Sequence, residues 1–180
     1  MVIDPAISLA TALSIAALLA AAAVHKAAAF REFVATVQNY QLIFPTAAPI
    51  FAAVLIAAEL SIAGAMVAPT TRAVAAFGAA AIFTLYGAAI ATNILRGRSE
   101  IDCGCSFGAA SDRLTPTLVL RNTLLAVASI AAGAPIATRS LGMFDFAFVG
   151  LSVVAASSLY LAFEALRSNT VRFQAMESVR

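Results

Sequence analysis

The chain has 180 residues, of which 62% are hydrophobic and 11% are charged, whereas a soluble globular domain is about half apolar and about a quarter charged. This balance excludes an ordinary soluble domain and predicts an integral membrane protein in contact with the lipid bilayer. The net charge is +2 and the basic residues form no run, which excludes a nucleic-acid-binding surface. Two cysteines are too few for a disulfide-braced scaffold or a four-cysteine metal site.

Five segments reach the length of about 20 predominantly apolar residues that a helix needs to cross a bilayer. Asp4 and Pro5 are placed to begin the first, which we expect to be retained because the N-terminus lacks the basic region of a secretory signal. The fourth is the weakest, because the pair Arg121–Asn122 lies inside it and Gly133 and Pro135 loosen its end. In chain order the predicted spans are residues 6–24, 46–67, 73–95, 116–137 and 144–166.

Backbone inside a bilayer must satisfy its own hydrogen bonds, and helices of this length do so. The predicted fold class is therefore all-α: a polytopic transmembrane helical bundle of about five spans with a four-helix core, in a single membrane domain over residues 1–180. Between the first two spans, Phe30, Phe33, Val34 and Val37 keep helical spacing, which predicts that helix continues from the first span into the membrane interface.

The most specific motif is Asp102-Cys103-Gly104-Cys105, in the longest hydrophilic connection, residues 96–115. Two thiols one residue apart can close a small disulfide ring, and Gly104 permits the backbone angles that such a ring needs. Departure from relaxed disulfide geometry makes the ring easier to reduce, which favours reversible exchange over static bracing. Two alternatives stay open: a pair of inert structural thiols, and a metal site, for which the usual four ligands would require carboxylates.

Several polar residues are candidates to support this chemistry. Arg98, Arg113 and Arg121 are expected to favour the reactive thiolate, an effect that Asp102 opposes. His25, at the cysteine side of the first span, is a candidate proton shuttle during thiol exchange. In the alternative interpretation, His25 and Lys26 only mark the membrane interface.

Glu59 lies well inside the second span, where a carboxylate is costly and marks a functional site by default. The alternative is a protonated side chain that hydrogen-bonds a neighbouring helix. Helical rise places Glu59 about 20 Å from the cysteine-side end of its predicted span, so we expect no direct contact with the thiols. Arg121 and Asn122 have packing interpretations too, since Arg121 can extend towards the membrane surface.

The basic residues are divided unevenly between the two sides of the predicted bundle. The side that carries the cysteines has nine of them, against Arg72 and Arg139 on the other. The positive-inside rule therefore places the cysteines in the cytoplasm. The nine are Lys26, Arg31, Arg96, Arg98, Arg113, Arg121, Arg167, Arg172 and Arg180.

Nearly the whole chain resembles the MauE family of methylamine utilisation membrane proteins, within the broader MauE/DoxX-type redox-associated group. The Cys-Gly-Cys region is the specific part of this resemblance. The residues that carry it are His25-Lys26, Tyr40, Pro45, Glu59-Leu60, Arg96-Gly97-Arg98, Ile101-Asp102-Cys103-Gly104-Cys105, Phe107-Gly108, Arg121-Asn122, Arg139, Leu141-Gly142 and Asp145.

The resemblance implies a role in maturation of the small (beta) subunit of methylamine dehydrogenase, a periplasmic protein with many disulfides. It implies a thioredoxin-like partner of the MauD type, and a bacterial inner-membrane location. Cys103 and Cys105 would cycle between dithiol and disulfide, with Arg98 and Arg121 tuning them and His25 moving protons. No cofactor is evident in the sequence; similarity to membrane disulfide-forming systems points to a membrane quinone as the electron acceptor.

This interpretation needs the cysteines on the periplasmic face, where disulfides persist, and so opposes the charge count. Whether the chain is itself an enzyme, as a thiol–disulfide oxidoreductase component, is left open. The alternative is a non-catalytic membrane scaffold or chaperone that docks the partner and the client. A small transporter is a third interpretation, for which Glu59 is the clearest intramembrane polar group.

Overall fold

The computed structural model describes residues 3–101, 113–135 and 137–177, and the regular elements in these ranges are all helices. The predicted all-α class is confirmed. In chain order the helices are α1 (Pro5–Ala28), α2 (Phe30–Tyr40), α3 (Ala48–Val67), α4 (Arg72–Leu95), α5 (Pro116–Ala132) and α6 (Met143–Glu177), with one 3₁₀ turn (Pro45–Ala47) leading into α3.

Four of these helices are long and apolar enough to cross a bilayer: α1, α3 with its preceding turn, α4 and α6. The chain is therefore a membrane protein. Helix α5 is apolar but has 17 residues, fewer than the ~20 that a full span takes. It ends at Ala132 rather than near residue 137, because Gly133 and Pro135 follow and neither continues a helix well. Helix α5 packs along the length of α4.

The beginning of α1 is fixed by the residues expected to fix it. The Asp4 side chain accepts a hydrogen bond from the backbone N–H of Ala6 at 2.8 Å, and Pro5 occupies the first helical position. Arg139 donates hydrogen bonds of 2.8 Å to the carboxylates of both Asp4 and Asp145. These contacts hold the start of α1, the start of α6 and the connection between α5 and α6 together at one end of the bundle.

The helix is interrupted at Ala29, between α1 and α2. The backbone N–H of Ala29 bonds the carbonyl of His25, and Ala29 itself has φ −106° and ψ 42°, outside the helical region. The residues expected to continue the first helix do form a helix, but it is a separate one that packs against α3. Phe33 is its buried residue. Helix α2, and not a longer α1, therefore covers this part of α3.

Small side chains dominate the interior of the bundle. Among its fully enclosed residues are Ala12, Ala76 and Ala79. A Cβ added at Gly87 of α4 would lie 3.4 Å from the Cβ of Asn122 on α5, so the two helices approach closely at this point. Small residues at helix interfaces allow such approach in lipid, where packing drives association.

Candidate functional site

Three helices place a charged network inside the bundle. Lys26 of α1 forms an ion pair and hydrogen bond with Glu59 Oε1 of α3. The Lys26 ammonium also donates to the hydroxyl of Tyr86 on α4 at 2.9 Å, and that hydroxyl donates to Glu59 Oε1 at 2.7 Å. Each of the three side chains therefore contacts the other two.

The network is hidden from the surface of the bundle. Lys26 is 2% exposed and Glu59 is 0% exposed. Removing two charges from water is costly, and only good geometry and further hydrogen bonds offset that cost. The ammonium gains extra stabilisation from aromatic faces, since Lys26 Nζ lies 4.5 Å from the ring centre of Tyr86 and 5.2 Å from that of Phe33.

The second carboxylate oxygen of Glu59 differs from the first in its hydrogen bonding. Glu59 Oε2 is buried and has no hydrogen-bond partner among the residues that the structure describes. A buried carboxylate oxygen without a donor is unfavourable by roughly 1–3 kcal/mol or more. This oxygen is therefore free to accept a hydrogen bond from a further donor group.

Lys26 does more than mark the membrane interface, which was the alternative interpretation of His25 and Lys26: its side chain is buried and paired with Glu59. Helix α3 begins at Ala48, so Glu59 lies about 16 Å along it at 1.5 Å per residue. Lys26 reaches that depth because α1 ends at Ala28, while α2 packs over the part of α3 nearer its start. Glu59 does bond neighbouring helices, through Lys26 of α1 and Tyr86 of α4. Its role as a functional site stays a prediction.

An apolar cavity of about 320 Å³ adjoins the network. It lies between α2, α3 and α4 and shares two residues with the network, Phe33 and Tyr86. Its volume is at the small end of the range of about 300–1,000 Å³ for ligand pockets. The lining residues are Phe33, Thr36, Val37, Tyr40, Leu42, Ile43, Phe51, Leu55, Leu85, Tyr86, Ala89 and Ile90.

The predicted thiol motif, with Asp102, Cys103 and Cys105, lies outside the described residues. The chain on either side of it is anchored: the N–H of Leu114 bonds the carbonyl of Ser99 at 2.8 Å. An exposed ion pair of 3.0 Å joins Arg113 to Glu100.

Ahead of this anchor, the guanidinium of Arg98 donates to the carbonyl of Asn39 near the end of α2, at 3.0 Å. Gly97 has φ +72°, a conformation that glycine adopts without strain. The segment that leads to the cysteines is therefore tied to the α2 end of the bundle.

The other predicted site residues occupy separate positions. His25 is half-buried in the last turn of α1, one residue before Lys26. Arg121 donates to the hydroxyl of Tyr160 on α6 at 3.3 Å, which places it between α5 and α6. Asn122 is buried and bonds the carbonyl of Leu118 in its own helix. Among the predicted supporting residues, Glu59 belongs to the buried network with Lys26, whereas Arg98 and Arg121 bond other parts of the bundle.

Sequence reasoning missed Tyr86 and the pairing of Lys26 with Glu59. The available signal was charge complementarity. The only lysine of the chain, Lys26, follows the first predicted span, and Glu59 is the only carboxylate that lies well inside the second. Neighbouring spans run antiparallel, so two such charges can meet. Nothing in the local sequence marks Tyr86, because a lone tyrosine in an apolar helix is ordinary.

Chemically, the network can hold or pass a proton, since it joins an amine, a phenol and a carboxylate by direct hydrogen bonds. Within the described ranges, no three His, Cys, Asp or Glu residues lie together as metal ligands. The cavity beside the network is suited to an apolar group.

Comparison with known proteins gives a consistent family. The family model described as "Methylamine utilisation protein MauE" matches residues 4–138. Methylamine utilization protein MauE of Methylophilus methylotrophus is 36% identical over 164 residues, 90% of this chain and 86% of that protein. The protein of the same name from Paracoccus versutus is 37% identical over 133 residues, 73% of this chain and 70% of that protein.

A third relative of that name, from Paracoccus denitrificans, is 37% identical over 100 residues. That alignment covers 56% of this chain and about half of the relative, 54%. No solved structure matches the chain. The matched region holds Lys26, Glu59, Tyr86 and the two cysteines. The chain therefore belongs to the MauE family of methylamine utilisation proteins.

Proposed function

We propose that the chain is a membrane thiol–disulfide component in maturation of the small (beta) subunit of methylamine dehydrogenase. Cys103 and Cys105 are its exchanging thiols. The observation that carries this proposal is the Cys-Gly-Cys motif in a protein of the methylamine utilisation family. The anchored chain on both sides of the motif, through Ser99 and Leu114, supports it, because exchange needs thiols at a defined end of the bundle.

The proposed reaction is thiol–disulfide exchange. The Cys103–Cys105 disulfide is reduced to a dithiol while two thiols of the client, reached through a thioredoxin-like partner, become a disulfide. Two electrons and two protons pass to the membrane protein in this step. A membrane quinone then accepts them: the sulfur–sulfur bond re-forms and the quinone becomes the quinol.

This chemistry requires the thiols on the periplasmic side of the inner membrane, where disulfides persist. The excess of arginine and lysine on the cysteine side argues for the cytoplasm. Part of that excess serves structure: Lys26 is buried in the ion pair and Arg98 bonds Asn39. Labelling of intact cells with a membrane-impermeant thiol reagent, before and after reduction, tests the side. Protection in intact cells with labelling only after lysis would contradict a periplasmic location.

The decisive experiment replaces each cysteine by serine in a host that grows on another carbon source and is induced with methylamine. We expect Cys103→Ser and Cys105→Ser to insert normally but to abolish accumulation of the beta subunit, measured by immunoblot. The matched control is Ser106→Ala, which changes a neighbouring hydroxyl and keeps both thiols. A single-cysteine variant is also expected to trap a mixed disulfide with the thioredoxin-like partner.

Normal beta-subunit levels in both cysteine variants would overturn the exchange mechanism. The protein would then act as a scaffold for the partner and the client, and no mixed disulfide would form.

A further inference from the structure

The apolar cavity between α2, α3 and α4 has one wall in the charged network. Tyr86 lines the cavity and bonds both Lys26 and Glu59. Phe33 also lines it and lies under the Lys26 ammonium. A ligand in this cavity would therefore contact the phenol of Tyr86, whose hydroxyl is bonded to Lys26 and Glu59. Lys26 and Glu59 do not line the cavity themselves, and the rest of the lining is almost entirely apolar.

Another wall of the cavity leads to the anchored segment before the cysteines. Tyr40 of α2 and Ile90 of α4 line the cavity. The same two residues belong to the apolar cluster in which Ile101 packs with Leu114 and Leu118. Ile101 directly precedes Asp102 in the sequence. The cavity thus lies between the charged network and the described end of the cysteine-bearing connection.

We propose that this cavity binds the ring of a membrane quinone, an assignment that rests on the proposed function and gives its electron acceptor a site. The lining offers several aromatic side chains, and aromatic faces suit a flat ring through offset or edge contacts. The volume of about 320 Å³ accommodates a ring with the start of an isoprenoid chain. The cavity is partly open between the helices, so the remaining chain extends into lipid.

Tyr86 distinguishes a quinone from a lipid acyl chain as the occupant, because it lines the cavity and belongs to the charged network. A saturated chain gains nothing from this phenol, whereas a quinone must receive protons when it is reduced. Reduction places two electrons and two protons on the two carbonyl oxygens, and the dithiol that becomes a disulfide releases the same number of each. Tyr86 is the lining residue that would relay a proton: its hydroxyl proton, donated here to Glu59 at 2.7 Å, would turn to the quinone oxygen, and Lys26, which donates to the same hydroxyl at 2.9 Å, would replace it.

The test uses the purified full-length protein in phospholipid nanodiscs and an azido-quinone as a photoreactive probe. We expect the label on peptides of α2 and α4, and competition by excess unlabelled quinone. Ala89→Trp fills the cavity and is expected to lower labelling by about tenfold or more, the factor for a loss of about 1.4 kcal/mol in binding. The matched control is Ala156→Trp, in a second cavity of about 330 Å³ between α1, α5 and α6, which should label like the wild type.

Labelling of the double variant Cys103→Ser/Cys105→Ser separates this proposal from the proposed function. Because the cavity is built from other residues, that variant should bind the probe normally even if the beta subunit fails to accumulate. Undiminished labelling of Ala89→Trp would overturn the assignment. A label confined to α6 of the wild type would overturn it too, as would competition by a fatty-acid analogue as strong as that by quinone. These two tests use the wild-type protein and therefore hold even if Ala89→Trp does not fold.

Discussion

The most direct consequence of the buried ion pair is that its two partners depend on each other. Lys26→Met removes the cation but leaves the Glu59 carboxylate, which is 0% exposed, without its neutralising charge. Breaking a buried pair from one side costs about 3–5 kcal/mol. For a protein of this size each kcal/mol changes the melting temperature by about 2–4 °C, so we expect a fall of roughly 10 °C.

The double variant Lys26→Met/Glu59→Met removes both charges and keeps similar side-chain volumes. Replacing both members of a buried pair by apolar residues is often neutral or stabilising, by about 1–4 kcal/mol. The double variant should therefore be more stable than either single variant. That reversal is specific to a pair that interacts, because independent substitutions add.

The chain contains no tryptophan, so the assay is the monodisperse fraction that survives heating in detergent, measured by size-exclusion chromatography. Arg31→Met, on the exposed side of α2, is the matched control and should change the melting temperature little. If the two single effects simply add in the double variant, or if Lys26→Met behaves like Arg31→Met, the ion pair does not stabilise the bundle as argued.

Two further predictions concern the opposite end of the bundle. Gly133→Ala should destabilise the protein by about 1–3 kcal/mol through overpacking, because the added Cβ would lie 2.9 Å from the Cβ of Ala76. The control Gly64→Ala adds a Cβ with nothing within 4 Å and should be neutral or stabilising by up to about 1 kcal/mol. Equal melting temperatures for the two variants would contradict the close contact at Gly133. The hydrogen bond from Arg139 lowers the pKa of Asp4 below its usual 3.8, so the stabilisation is present above that value and lost as the pH falls through the lowered pKa. The Arg139→Gln variant should therefore melt at a lower temperature than the wild type at pH 7. The difference in melting temperature should narrow below about pH 4. A difference that does not change with pH would show that the carboxylate of Asp4 plays no part.

Much of the fold follows from hydropathy, and the exceptions have local physical causes. The cap residues Asp4 and Pro5 set the start of α1 as expected, since they act through the adjacent backbone. The end of α5 was harder to place, because whether a helix continues past Gly133 depends on its neighbours. Here Ala76 of α4 packs against that glycine.

The candidate site was less accessible to sequence reasoning. Lys26 has the sequence context of an interface residue, directly after an apolar span and next to His25. Its burial depends on the break at Ala29 and on the packing of α2 over α3, which are tertiary features. Glu59 was recognised because a carboxylate among apolar residues stands out locally, whereas its partners come from helices distant in sequence.

The enclosure of Lys26 has a practical consequence for chemical probing. It is the only lysine in the chain, so the folded bundle offers amine-reactive reagents no accessible ε-amino group. Acylation at this position would require the ammonium to leave the carboxylate and lose its proton. The extent of modification at this one site would therefore report how often the three helices separate, and mass spectrometry of a single peptide would follow the opening of the bundle under different lipid conditions.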